Sequence, residues 1–180
     1  MSIEASPGDA AEWWRTSLGR YLLALDQDYF DGAVADVFDY NTFQLGMVDQ
    51  GLLRASRIPL RIRVDVAGAA RIRADFRDLP LAGNCADLVL LPHVLEFSEH
   101  PHQILREVAR VLRAEAHVVI ACFNPWSLWG FWRIFNSRRR YPWRGRFIHL
   151  LRLKDWLALL GREIVAGQMS SYAPPCTRQK

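Results

Sequence analysis

The sequence predicts one α/β domain built on a mostly parallel sheet. Three stretches carry that expectation. Residues 86–91, ADLVLL, form an apolar run of the kind buried on both faces of a parallel sheet. Residues 102–113, HQILREVARVLR, set Ile104, Leu105, Val108, Val111 and Leu112 along one helical stripe. Residues 116–123, AHVVIACF, are a second buried run. Strand, helix and strand in that order make a right-handed parallel unit, and 180 residues suffice for one hydrophobic core.

The remaining elements follow from the amino end. Apolar residues recur at helical spacing over 12–25 (Trp14, Leu18, Leu22, Leu25) and over 29–38 (Phe30, Val34, Val37), which predicts two helices. Residues 42–45 are the first strand, and 51–56 are too short to assign. Two β-rich segments, 61–66 and 70–74, are joined by Ala67-Gly68-Ala69. A crossover helix needs about ten residues or more, so the two either pair as a hairpin or have lost the helix between them. His100-Pro101 opens the central helix, proline suiting the first helical position. Residues 126–147 interleave aromatics with arginines. LKDWLALLG, 153–161, reads as a helix closed by Gly161. Residues 162–169 are expected to form a final strand, and SSYAPPCTRQK a loop that stops in mid-course.

With 51% hydrophobic and 23% charged residues the chain is globular in composition. No apolar run reaches the length of a membrane span, and the first residues lack the basic start and apolar stretch of a secretory leader. Cys85, Cys122 and Cys176 are odd in number, widely spaced and outside any C-x-x-C pair, which predicts reduced thiols and a cytoplasmic location. His93, His100 and His102 have no recognised metal-ligand spacing, so no metal is expected. Charge is uneven: residues 1–50 carry nine acids against two arginines, whereas 126–154 carry seven arginines, one lysine and no acid.

Within 75–125, Asp75, Leu79-Pro80-Leu81, Ala86-Asp87, the apolar strand, Pro101, Arg110-Val111-Leu112 and the strand 118–123 occur in an order that resembles the S-adenosylmethionine-dependent methyltransferases of the seven-stranded Rossmann-like class. The likeness is greatest to the methyltransferase type 11 domain. The whole chain, from GRYLL through FQLG and FNPWSLWG to LKDWLALLG, is similar to a bacterial subgroup of that superfamily with a degenerate glycine motif. The resemblance implies a Rossmann-like methyltransferase fold, its sheet flanked by helices, here shortened and lacking the last strand. It divides the chain into N-terminal helices (1–40), a cofactor-binding core (41–125), a basic aromatic insert or lid (126–154) and a C-terminal helix and strand (155–180). It also implies S-adenosyl-L-methionine as cofactor and transfer of its methyl group to an unidentified small-molecule or macromolecular acceptor.

By the same resemblance, FQLGMVDQG occupies the place of the glycine loop. Gly46 matches the first glycine, Gln44 stands where the family has an acid, and Val48 and Gln50 replace the later glycines. Asp65 is the nearest candidate for the acid that holds the ribose hydroxyls. Asp75 and Phe76 would bind and cover the adenine, Pro92 would line the cofactor site, and His93 would serve as catalytic base. Outside the resemblance, Asn124 at the end of the fifth strand and Trp126 and Arg138 in the basic aromatic segment are the candidates to meet the acceptor. Without the resemblance, Gly46 reads as a turn glycine, Asp75 as a surface carboxylate, Phe76 as a core aromatic and His93 as a structural histidine. Asp87 reads as a cap on the buried strand. A left-handed non-glycine residue costs about 1–2 kcal/mol and a lost charged hydrogen bond about 1.5–3 kcal/mol, which together weaken binding by about two to three decades.

The segment 126–147 suits a lid or substrate surface, an amphipathic element with a core face, or a nucleic-acid or membrane surface. The alternative to an enzyme is a non-catalytic module of the same fold that binds a partner or anionic surface through this segment. With no seventh strand to draw, the strand at 162–169 would lie at the sheet edge or pair with 118–123, and an open edge favours self-association.

Overall fold

Five parallel strands make one sheet: β1 (Asn41–Leu45), β2 (Leu60–Asp65), β3 (Ile72–Arg73), β4 (Ala86–Pro92) and β5 (Leu112–Ala121), in the spatial order β3-β2-β1-β4-β5. The helices are α1 (Pro7–Trp14), α2 (Ser17–Ala35), α3 (Pro101–Val111) and α4 (Leu150–Leu159). The computed structural model describes residues 7–38, 40–127, 129–130 and 141–167, and these counts refer to them. Two compact units divide the chain: residues 26–95 with 100–121, which hold the sheet and α3, and residues 1–25, 96–99 and 122–180, which hold α1 and α4.

β4 is buried along its whole length and lies between β1 and β5, as its apolar run predicts. α3 turns Ile104, Leu105, Val108 and Val111 inward, and its first helical position is Pro101. Asp87 caps the sheet at the opposite end from the strand tips that follow β1 and β4. Its Oδ2 accepts the N–H groups of Tyr40 and Asn41 at 3.1 and 2.8 Å, and its Oδ1 accepts from Arg113 at 2.6 Å.

Two expectations change and one open alternative closes. The helical break lies at residues 15–16 and not at 26–28, because α2 is continuous from Ser17 to Ala35. Thr16 starts it: its Oγ1 accepts the Gly19 N–H at 3.0 Å, as an N-cap does. Of the two alternatives for 61–66 and 70–74, the hairpin is excluded and the lost crossover helix holds: β2 and β3 pair in parallel with no helix between them. Their ladder is only Val64 with Ile72 and Asp65 with Arg73, at the carboxyl end of β2, so the chain need not travel back along the sheet. Residues 162–167 form no strand, which leaves β5 as the outer strand among the described residues. Its residues are mostly half-exposed, in contrast to β4.

In the second unit Trp129, Tyr141 and Trp143 of the 126–147 segment pack on one another or on Phe97 and Phe123. Trp129 stacks on Phe123 at a centroid distance of 5.7 Å and on Trp143 at 5.4 Å, and Tyr141 stacks on Phe97 at 4.6 Å. Trp129 and Tyr141 are buried. Gly161 ends the α4 region with φ +68, a left-handed conformation that glycine adopts without strain.

Candidate functional site

The chain leaves β1 on one side to build β2 and β3, and returns on the other to build β4 and β5. The carboxyl ends of β1 and β4 therefore flank the point where strand order reverses, the place where open α/β sheets bind ligands. Gly46 directly follows β1 with φ +79, and a Cβ placed there would lie 3.0 Å from Val94 Cγ2 and 3.8 Å from the Phe76 ring. Gly46, Phe76 and Val94 thus converge from the ends of three strands. Pro92 and His93 stand on the same rim, Pro92 as the last, buried residue of β4.

The loop after β1 is held from three directions. Gln44, fully buried, donates from Nε2 to the carbonyl oxygens of Gly46, Met47 and Gln50 at 3.1, 2.8 and 3.3 Å. Its Oε1 is buried with no hydrogen-bond partner among the described residues. Arg63 donates to the Val48 carbonyl at 2.8 Å. Asp65, the last residue of β2, accepts the Val66 N–H at 2.7 Å and is also reached by the N–H groups of Ala67 and Val48. Burial raises the pKa of Asp65 above the usual carboxylate value and the Asp49 charge adds to this, with the backbone N–H groups opposing them. Met47 has φ +48, so the strain expected of a non-glycine loop falls on that residue.

Asp75 is engaged by a neighbour. The Arg77 guanidinium donates to both its oxygens, at 3.0 Å from Nε, and holds the carboxyl below its usual pKa. Phe76 is half-buried beside Gly46. His93 has φ +51, its N–H donates to the Ala121 carbonyl at 2.9 Å, and its Nε2 lies 3.0 Å from Asp26 Oδ2. The His93 side chain is 1% exposed and Asp26 is buried with it. Asp26 carries no motif; its position four residues before Phe30 on the inward stripe of α2 is the only sequence signal that could have marked it.

Asn124 and Trp126 belong to the other unit. The Asn124 Oδ1 accepts the Trp126 N–H at 3.0 Å, closing a turn, and Trp126 is exposed. Arg138 lies outside the described residues. Among the described residues no three His, Cys, Asp or Glu side chains converge as a metal site.

The grouping fits a nucleoside cofactor. A backbone without a side chain permits close approach at Gly46, an aromatic ring stands beside it at Phe76, and carboxylates end β2 and follow β3.

Comparison with known proteins agrees with this architecture. A family profile described as a methyltransferase domain matches residues 41–120, the span from β1 to β5. The Escherichia coli protein YafS is 34% identical over 122 residues, 67% of this chain and 51% of YafS, so the chain spans about half the length of that relative. An S-adenosylmethionine-dependent methyltransferase from Thermotoga maritima has the same fold, with a TM-score of 0.70 at 14% identity over 86% of this chain and 76% of the other. A Bacillus halodurans protein described as a methyltransferase gives 0.61 at 11% identity over 76% and 68%. Residues 41–120 match the methyltransferase-domain family, and the chain has the Rossmann-like fold of S-adenosylmethionine-dependent methyltransferases.

Proposed function

We propose that the protein binds S-adenosyl-L-methionine at the carboxyl ends of β1 and β4 and transfers its methyl group to an acceptor of unassigned class. The observation that carries this reading is Gly46: a glycine at the switch point whose left-handed φ of +79 strains any other residue, and where an added Cβ would press on Val94 at 3.0 Å. The family match over the same strands supports a transferase over a non-catalytic binding module.

The cofactor supplies an electrophilic methyl carbon for in-line displacement. The work left to this chain is positioning. Gly46 would admit the cofactor against the backbone, Phe76 would cover its ring, Pro92 would wall the crevice, and Asp65 or Asp75 would accept from its polar groups. Gln44 keeps the loop in one conformation. His93 is the candidate base, with Asp26 orienting its imidazole; proton transfer there requires an acceptor that reaches a ring nearly closed to solvent.

Calorimetric titration with S-adenosylmethionine and S-adenosylhomocysteine tests the reading. The parent is expected to bind weakly, Phe76→Leu more weakly still at a melting temperature close to the parent's, and Gly46→Val not at all. No binding by the parent, or equal binding by Gly46→Val, would overturn it.

A further inference from the structure

α4 and the turn after β5 carry apolar side chains that their unit does not bury. Trp126 is 83% exposed, Leu151 63% and Leu150 40%, although the same helix buries Leu153 and Leu157. These residues form one patch. The Trp126 ring meets His149 edge-on with centroids 6.4 Å apart, and His149 caps α4, its side chain accepting the Leu151 N–H at 3.2 Å. Helical spacing puts Lys154 one turn along from Leu150 and Leu151. Arg152 is next in the chain and Arg146 precedes His149 by three residues, and all three basic side chains are exposed. No acid occurs from 126 to 154; the first is the exposed Asp155.

We propose that this patch docks the protein on an anionic lipid surface, with Trp126, Leu150 and Leu151 entering the interface and Arg146, Arg152 and Lys154 facing the headgroups. Charge complementarity selects an anionic partner. The leucines select lipid over nucleic acid: an aliphatic side chain offers no flat face for a base to stack on, whereas an interfacial anchor buries leucine and tryptophan at the headgroup–acyl boundary. Attachment would be peripheral, since among the described residues no helix is long and apolar enough to cross a membrane. The proposal is independent of cofactor binding.

Sedimentation of the full chain with vesicles decides it. Binding is expected to phosphatidylcholine vesicles containing phosphatidylglycerol, not to phosphatidylcholine alone, and should fall as salt rises. Removing Trp126 and Leu151 together (Trp126→Ala, Leu151→Ala) should weaken binding by about tenfold or more. Each charge removed at Arg146, Arg152 or Lys154 should cost about fivefold. Both sets of positions are exposed, so the melting temperature should stay close to the parent's, and Trp126→Ala alone provides a milder variant. Failure to bind the mixed vesicles at low salt, unchanged binding by the Trp126/Leu151 variant, or tighter binding to an oligonucleotide than to the vesicles would overturn the proposal.

Discussion

Gln44 shows why a degenerate motif need not be a damaged one. Its amide points at three loop carbonyls, so the position demands a donor. A glutamate, as the family pattern would have it, would set a buried charge against those oxygens. Gln44→Glu is therefore expected to lower the unfolding free energy by about 2 kcal/mol or more, read from urea denaturation, and not to tighten cofactor binding. The substitution was plain in the sequence but its reason was not. Which backbone groups turn inward depends on the left-handed conformations of Gly46 and Met47, and a one-dimensional pattern does not encode them. A family pattern marks the places of Gly46 and Phe76, and the structure sets the two side by side. The Asp26–His93 pair joins residues 67 positions apart, and only the fold brings them together.

At the scale of elements, side chains from α3 fix the loop that leads into β4. Glu107 Oε1 accepts the Leu79 N–H at 3.0 Å, and Arg110, paired with Glu107 at 2.6 Å, donates to the Leu79 and Leu81 carbonyls at 3.2 and 2.9 Å. Arg110 holds the Glu107 carboxyl below its usual pKa, burial opposes this, and the Leu79 N–H adds to the lowering. A carboxyl with a lowered folded pKa contributes its stability fully above its unfolded value, about 4.3, and loses it as pH falls through the folded value. Glu107→Gln should cost about 1 kcal/mol at neutral pH, since Arg110 is partly exposed and the pair is screened. Denaturation curves for parent and variant should converge as the pH falls into the acid range. The central strands and α3 were legible because burial on both faces and a single apolar stripe leave clear patterns. The helix break was misplaced because Asp26, Gln27 and Asp28 look like a polar linker. Asp26 meets His93, and Gln27 donates to Asp31 at 3.1 Å and to the Gly51 carbonyl at 3.2 Å, so α2 continues through them. The choice between a hairpin and a parallel pair without its helix stayed open for β3 because the crossover rule assumes strands of ordinary length.

At the scale of the molecule, strand order matters more than any one motif. Open α/β sheets bind ligands where strand order reverses, here between β1 and β4, and Gly46, Phe76 and Val94 meet at that switch point. The fold could be read from the ordered pattern over 75–125, whereas the acceptor could not, because the segment after β5 carries no motif that names one. The most direct test is an amide nuclear-magnetic-resonance titration of the labelled chain with S-adenosylhomocysteine. Binding at the switch point predicts concentration-dependent shifts at Gly46, Met47, Asp65–Ala67, Phe76 and Val94, with β3-to-β5 amides far from the strand tips unmoved. An unchanged spectrum at saturating ligand, or shifts confined to residues outside this set, would contradict cofactor binding at this site.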